Sequence, residues 1–230
     1  MRTIGLIGGM SWESSAEYYR MINQQVRDQI GPLRSAPLLM YSVDFGPVEQ
    51  AQHAGRWDDA ALILEDAARR LQAGGAECIV LCTNTMHRVA AKIEAAVSVP
   101  FLHIADAAGA AAVEANTLTV GLLGTAFTME QDFIKTRLAA QGLTVLVPDA
   151  QERQAVHRII YEELCVGVIS HASRQVYQQV IRSLAARGAQ AVILGCTEIG
   201  LLIKPEHSDL PLLDTTELHA QAAVAFALGG

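Results

Sequence analysis

The chain has 230 residues, of which 51% are hydrophobic and 18% charged, and this composition excludes a disordered or collagen-like protein. Its formal net charge of −7 gives no electrostatic reason to expect a nucleic acid or an anionic membrane as partner. No apolar stretch approaches the ~20 residues that a membrane-spanning helix needs.

The start of the chain, MRTIGLIGGM, predicts a buried first strand rather than a signal peptide, because glycines interrupt its apolar run. The four cysteines, Cys78, Cys82, Cys165 and Cys196, form no CxxC pair and have no zinc-site spacing. We therefore expect reduced thiols in a cytoplasmic protein, and no metal site.

Helical and strand patterns alternate along the chain. Helices are predicted at 14–30, 57–73, 85–96, 104–115, 127–141, 151–166, 171–187 and 215–228. Further strands are predicted at 37–43, 77–82, 144–147 and 190–194. Strands that alternate with helices indicate βαβ units and parallel sheets, and continuously apolar strands indicate helices on both faces of each sheet.

The sequence contains an internal repeat. GAECIVLCTNT at 75–85 aligns without a gap with GAQAVILGCTE at 188–198, and TIGLIGGMSWESS at 3–15 resembles TVGLLGTAFTMEQ at 119–131. The repeat predicts an α/β protein of two similar doubly wound, Rossmann-like domains, with the active site in the cleft between them. We place the first domain at 1–97 plus the C-terminal segment 208–230, and the second at 98–207. The two alanine-rich helices that follow the fourth strands are each expected to cross to the other half.

Polar clusters follow four of the predicted strands. Ligands of open α/β sheets bind outside the carboxyl ends of the strands, so we expect these clusters to converge. The candidate binding residues are Gly9, Met10, Ser11, Gln52, Asn84, Thr85, Gly124, Thr125, Ala126, Thr197 and Glu198. The glycine loops suit a small carboxylate, since they match neither the dinucleotide fingerprint nor a phosphate-binding loop.

The candidate catalytic residues are Cys196 and the residue aligned with it, Thr83. The thiolate form of a cysteine is favoured close to the start of a helix, so Cys196 is expected to be the reactive residue. Cys82 aligns with Gly195, on the opposite face of its strand, and is assigned to the core together with Cys78 and Cys165. Thr83 can donate a hydrogen bond or hold a water more readily than it can deprotonate carbon.

Three polar residues have open interpretations. His87 is either a site residue or a surface or capping histidine, and Glu198 either caps its helix or orients the amine of a ligand. Gln52 is either a side-chain contact for the substrate or a solvated loop residue.

The stretches IGLIGGMSWESS, LCTNTMH, FLHIADA, LLGTAFTMEQDF and ILGCTEIGLLI resemble the aspartate/glutamate racemase family. The resemblance implies two α/β domains, a homodimer, a small amino-acid substrate and catalysis without a cofactor. It also implies a mechanism in which two cysteines work on opposite faces of Cα. The chain's three lysines, Lys92, Lys135 and Lys204, are placed away from the cleft, which disfavours pyridoxal phosphate.

The chain departs from the resemblance in two ways. Thr83 replaces the first cysteine, so Cys196 is the one carbon base and L-amino acids are expected to lose their α-proton faster than D-amino acids. Cys165 stands where a lysine is common, and the segment GPVEQAQH at 46–53 has no arginine, which indicates a neutral or broad substrate range. Two alternatives stay open: a single-cysteine decarboxylase of disubstituted malonates, and a protein that binds a small acid without catalysis.

Overall fold

The computed structural model describes residues 1–230 and contains two compact units. Unit 1 comprises Met1–Ile104 and His219–Gly230, and unit 2 comprises Ala105–Leu218. Each unit is an α/β domain with its own four-stranded parallel sheet.

The sheet of unit 1 has the strand order β2-β1-β3-β4. Its elements are β1 (Ile4–Gly8), α1 (Trp12–Ile30), β2 (Leu38–Ser42), α2 (Phe45–His53), α3 (Trp57–Ala73), β3 (Cys78–Leu81), a 3-10 turn (Thr85–Val89), α4 (Ala90–Ala95) and β4 (Phe101–Leu102). Side chains of successive strand residues point to opposite faces. Ile7 of β1 accordingly packs in a core with α2 and α3, whereas Leu6 packs in a second core with α1 and the C-terminal helix. Helices therefore cover both faces of the sheet, as predicted.

Unit 2 has the corresponding strand order β6-β5-β7-β8. Its elements are α5 (Ile104–Glu114), β5 (Thr119–Gly124), α6 (Ala126–Glu130), α7 (Asp132–Ala139), β6 (Thr144–Leu146), α8 (Ala150–Glu162), a 3-10 turn (Leu164–Val166), α9 (His171–Ala186), β7 (Ala191–Gly195), α10 (Ile199–Leu202), a 3-10 turn (Pro205–His207) and β8 (Leu212–Asp214). The C-terminal helix α11 (Thr215–Leu228) begins in unit 2 and continues into unit 1. The two sheets have one topology, which confirms the fold class that the internal repeat predicts.

The unit boundaries fall later than predicted. Position 97 was expected to end the first domain and position 208 to begin its C-terminal segment. However, β4 pairs with β3 and β8 pairs with β7, so each fourth strand stays with the sheet of its own half. The chain instead crosses between Ile104 and Ala105, and again between Leu218 and His219.

Contacts within each unit explain the crossings. In unit 2, Arg137 of α7 holds Asp106 of α5 through two hydrogen bonds of 2.7 Å each. In unit 1, the last turns of α11 pack their alanines on Tyr18 and Ile22 of α1. The helices after the fourth strands therefore do cross, as the repeat predicts, while the strands before them do not.

Four helical regions differ from the predictions. The predicted helix 85–96 is a 3-10 turn at Thr85–Val89 followed by the short helix α4. The segment that reads as a loop near 46–53 forms α2, in which Asp44 accepts a hydrogen bond from the amide of Gly46 at the N-terminus. The predicted helix 127–141 is two helices separated by the extended residue Gln131, and 151–166 breaks at Glu163. None of the helices is both long and apolar enough to cross a membrane.

Candidate active site

In unit 1, the loops that follow β1 and β3 lie side by side. The two strands pair directly, and the amide of Cys82 donates to the carbonyl of Ile7 at 2.9 Å. Gly9 has a φ of 99°, and a Cβ there would clash with the backbone of Val43. Only glycine lets the chain turn this closely past the strand end. The adjacent strands thus bring Gly9, Met10 and Ser11 to the same sheet edge as the loop at 83–85.

The β1 loop satisfies its own polar groups. The Gly9 amide donates to Ser15 Oγ at 2.8 Å, and that hydroxyl donates to the carbonyl of Ser11, also at 2.8 Å. Ser11 in turn caps α1 by accepting from the Ser14 amide at 3.2 Å. The Gly9 amide is consequently engaged, so a carboxylate could use it only by displacing Ser15.

The β3 loop places Thr83 beyond the buried end of its strand. Cys78 and Cys82 are fully buried in the core that contains α1, which confirms their structural assignment. Burial raises the pKa of Cys78 to about 12 and raises that of Cys82 further. Thr83 is half-buried, and its amide donates to Leu81 at 2.9 Å. Asn84 is buried just before the 3-10 turn that Thr85 begins.

Gln52 is not a solvated loop residue. It lies in α2, is 6% exposed, and its Nε2 is 2.7 Å from Met86 Sδ. Its amide therefore packs beside the 3-10 turn of the β3 loop. Neighbouring His53 is exposed and pairs with Glu49 at 3.0 Å.

In unit 2, the loops after β5 and β7 also meet. Gly124 pairs with Gly195, and a Cβ on Gly124 would lie 2.9 Å from the carbonyl oxygen of Gly195. The sequence therefore needs two glycines where these strands end. The arrangement brings Thr125 and Ala126 to the same edge as Cys196, Thr197 and Glu198.

The central contact at this edge joins Cys196 and Glu198. The thiol donates to Glu198 Oε2 at 2.9 Å. Burial, followed by the negative charge of Glu198, raises the pKa of the Cys196 thiol well above its ordinary value. This corrects the expectation that a helix terminus favours the thiolate, because α10 has only four residues, and burial together with the carboxylate outweighs any effect of its N-terminus. Cys196 rests as a thiol whose proton is already directed at a carboxylate.

Cys165 is also placed differently from the prediction. It is exposed in the 3-10 turn after α8, not buried in the core. In its thiolate form Cys165 also raises the pKa of Cys196, and burial, followed by the charges of the two cysteines in their thiolate forms, raises the pKa of Tyr177. No sequence pattern indicated this proximity, because residues 165 and 196 are separated by a whole helix and strand.

The remaining candidate residues of unit 2 have local partners. Thr125 caps α6 by accepting from the Thr128 amide at 3.4 Å. The Ala126 amide donates to His157 Nδ1 at 3.1 Å. Thr197 Oγ1 accepts from Thr216 Oγ1 at 3.3 Å. Like the Gly9 amide, the Ala126 amide is already engaged, and sequence patterns alone missed both Ser15 and His157.

His87 is a buried residue and not a surface side chain, and its Nε2 accepts a hydrogen bond from the Ile104 amide at the start of α5. It is 2% exposed, and its ring approaches His103 and His219 with centroid separations of 4.4 and 5.8 Å. Its Nδ1 lies 2.7 Å from the carbonyl oxygen of Thr83. The histidine is therefore directly linked to a candidate catalytic residue.

Replacing Glu198 with glutamine is expected to lower the pKa of Cys196, because the change removes the charge that raises it. The rate of Cys196 alkylation at a fixed pH below that pKa should rise at least about tenfold, which corresponds to one pKa unit. The rate of iodoacetamide labelling, followed by mass spectrometry of the Cys196 peptide across a pH series, measures the shift. Glu206→Gln, an exposed carboxylate in the 3-10 turn at 205–207, is the matched control. An unchanged labelling profile in Glu198→Gln would show that Glu198 does not control the thiol.

The chain is similar in sequence to known racemases. The sequence model of Asp/Glu/hydantoin racemases matches residues 7–223. A broad specificity amino-acid racemase of Bacillus subtilis (strain 168) is 26% identical over 168 residues, which are 73% of this chain and 72% of that protein.

Two crystal structures align with 99% of this chain, and each alignment includes 100% of the chain in that structure. A candidate Asp/Glu racemase from Yersinia pestis is 53% identical with a TM-score of 0.95. An aspartate racemase homologue from Pyrococcus horikoshii OT3 is 32% identical with a TM-score of 0.88. The similarity thus extends over both units.

Proposed function

The chain belongs to the Asp/Glu/hydantoin racemase family, and from that membership we propose a racemase that uses Cys196 as its base. It is an isomerase that acts on amino acids. The proposed part concerns how the proton moves, which enantiomer reacts faster and which side chains are accepted.

The hydrogen bond from Cys196 to Glu198 is the observation that carries the proposal. A thiol is the nucleophilic and basic group only after it loses its proton. We propose that Glu198 receives the Cys196 proton, so that the thiolate forms as the substrate binds. The thiolate then takes the Cα proton, and the electron pair of the broken C–H bond delocalises into the substrate carboxylate.

Charge develops on that carboxylate as the proton leaves, and hydrogen-bond donors must stabilise it. We propose that donors come from both strand-end clusters, with rearrangement at the engaged amides of Gly9 and Ala126. Thr197, Asn84 and Thr85 supply further polar groups. The substrate displaces the internal partners when it binds.

Thr83, or a water that it holds, is proposed to return a proton to the opposite face of Cα. Solvent then supplies a proton to the hydroxyl or water and takes one from Glu198, which restores the starting state. A threonine hydroxyl can take part in proton delivery, but it is a far weaker base than a thiolate. The enzyme should therefore abstract the α-proton faster from the L-amino acid, which in the two-cysteine relatives is the substrate of the second-half thiol.

The acidic surroundings of Cys196 support the proposed substrate range. Burial raises the pKa of the Cys196 thiol, and the negative charge of the Glu198 carboxylate raises it further. Such a site attracts the substrate ammonium group and disfavours a second carboxylate close by. We propose a neutral or broad range of amino acids, with buried Gln52 and exposed Cys165 among the groups near the side chain. The similarity to a broad specificity racemase supports this range.

Of the two aligned residues, Thr83 and Cys196, only one has a thiol. This also favours a second candidate function, the decarboxylation of disubstituted malonates. That reaction protonates a single face after CO₂ leaves, so it needs no base at position 83. Release of CO₂ from an arylmalonate, in the absence of amino-acid racemisation, would select this alternative.

The direct test is a circular-dichroism and chiral-chromatography screen of L- and D-amino acids with the purified protein. Loss of optical activity without CO₂ release supports the racemase. Slow alkylation of Cys196 would not identify a non-catalytic binder, because burial and Glu198 raise the thiol pKa in the enzyme as well. Sedimentation analysis in the same preparation would test the proposed homodimer.

A further inference from the structure

His87 bridges two backbone groups of unit 1. Its Nδ1 lies 2.7 Å from the carbonyl oxygen of Thr83, and its Nε2 accepts a hydrogen bond from the Ile104 amide at 3.2 Å. Thr83 is at the start of the β3 loop, and Ile104 is the last residue before the chain crosses into unit 2. One buried side chain thus ties a candidate catalytic residue to the crossing point.

The two partners determine the form of the imidazole. A backbone amide can only donate, so Nε2 must present its lone pair to Ile104. A carbonyl oxygen can only accept, so Nδ1 must carry the hydrogen that is donated to Thr83. His87 is consequently neutral in this arrangement, with its hydrogen on Nδ1.

The local backbone explains why Thr83 uses a side-chain partner. In the 3-10 turn the His87 amide donates to Asn84 at 3.1 Å, instead of to the residue four positions earlier. The carbonyl of Thr83 therefore receives its bond from the imidazole of the same residue. That bond fixes the peptide unit that follows Thr83.

The second half of the chain has no counterpart. The residue aligned with His87 is Gly200, where a Cβ would approach Asp214 Oδ2 to 2.5 Å. The carbonyl of Cys196 instead accepts from the Ile199 amide at 3.1 Å. The bridge is specific to the threonine side of the repeat.

Neighbouring histidines hold the bridge in place. His103 contacts His87 edge-on, and buried His219 also lies against it. His219 has its own partners, Tyr18 Oη at 2.9 Å and the carbonyl of Leu102 at 2.7 Å. The imidazole of His87 therefore contacts two neighbouring rings, and one of them, His219, is held by two hydrogen bonds.

We propose that His87 is a positioning residue for Thr83, required for proton delivery to the second face of Cα and not for proton abstraction by Cys196. This inference rests on the proposed racemase function. A shift of the Thr83 peptide should slow racemisation of the L-substrate by about 10- to 100-fold, since misplacement of about 1 Å can have such an effect. Exchange of the L-substrate α-proton with solvent through Cys196 should change much less.

Two substitutions separate the bonds of the bridge. His87→Asn places an amide where Nδ1 lies and can keep the bond to Thr83, whereas His87→Gln places its amide near Nε2 and can keep only the bond to Ile104. We expect the ratio of racemisation to α-proton exchange to stay within about threefold of wild type in His87→Asn and to fall about tenfold or more in His87→Gln. His171→Phe, at an exposed histidine of α9, is the matched control. A merely structural role would lower both rates together in both variants, and that result would overturn the proposal.

A long-range ¹H–¹⁵N spectrum of the wild-type protein provides a readout that needs no activity. His87, assigned by its absence in His87→Gln, should appear as the neutral form with hydrogen on Nδ1. A spectrum with the hydrogen on Nε2 would contradict the bridge. If no amino acid is racemised or exchanged by the wild type, the proposed function fails together with the positioning role, while the tautomer still decides whether His87 holds the Thr83 carbonyl.

Discussion

Cys196→Ala is expected to lower racemisation in either direction by about 10²- to 10⁴-fold, the range that general acid–base groups contribute. The reason is that the proposed carbon base is lost and Glu198 retains no thiol to deprotonate. The substitution removes one sulfur atom from a half-buried loop residue, so the thermal unfolding midpoint should change little. Initial rates by circular dichroism, measured at saturating substrate, give the effect on kcat.

Cys82→Ala is the matched control, because Cys82 directly precedes Thr83 but is buried in the core. Its loss should lower the free energy of unfolding by about 0.5–3 kcal/mol while racemisation persists. The opposite pattern, with activity lost in Cys82→Ala and retained in Cys196→Ala, would show that the base is Cys82 in the first half of the chain and not Cys196.

Thr83→Cys is expected to produce the second large change, a gain of function. In the proposed mechanism, a thiol at position 83 supplies a competent base for the face of Cα that Cys196 does not serve, and cysteine fits the volume of threonine. The rate of α-proton exchange from the D-enantiomer should therefore rise by about 10²-fold or more relative to exchange from the L-enantiomer. Mass spectrometry of deuterium incorporation from D₂O measures both rates.

Thr83→Ser separates the thiol from the smaller side chain. It keeps a hydroxyl at this position, so exchange from the D-enantiomer should remain as slow as in wild type. Equal gains in the serine and cysteine variants would indicate that space, and not basicity, limits the D-face reaction. No gain in Thr83→Cys would remove the proposed symmetry between positions 83 and 196.

The repeat predicted the topology because the apolar pattern of each strand, and the polar residues that follow it, can be recognised within a short segment of the sequence. The alternation of side chains along β3 separated buried Cys82 from the adjacent loop residue Thr83. The same local reasoning failed for the domain boundaries, since pairing of β4 with β3 is a contact that no single segment encodes. It also missed α2, because Gly46 and Pro47 near its start are typical of a loop.

The chemical environment of the site was less predictable than its residues. Cys196 and Glu198 are two positions apart, but the direction of the thiol pKa depends on which group its hydrogen faces. The burial of Cys165 and of His87 is determined by tertiary packing. The thiol of Cys165 is exposed, whereas the imidazole of His87 is buried between two backbone groups. Sequence periodicity does not encode such partners, and it therefore predicted the first as buried and left the second undecided.

The central claim is that two aligned residues work on one substrate but only Cys196 is a competent carbon base. It is tested most directly by incubating the wild-type enzyme in D₂O with each enantiomer of one substrate and following α-proton exchange at early times. The account predicts exchange from the L-enantiomer at least about tenfold faster than from the D-enantiomer, because a thiolate is a far stronger carbon base than a threonine hydroxyl at neutral pH. Equal initial exchange rates from the two enantiomers would contradict it.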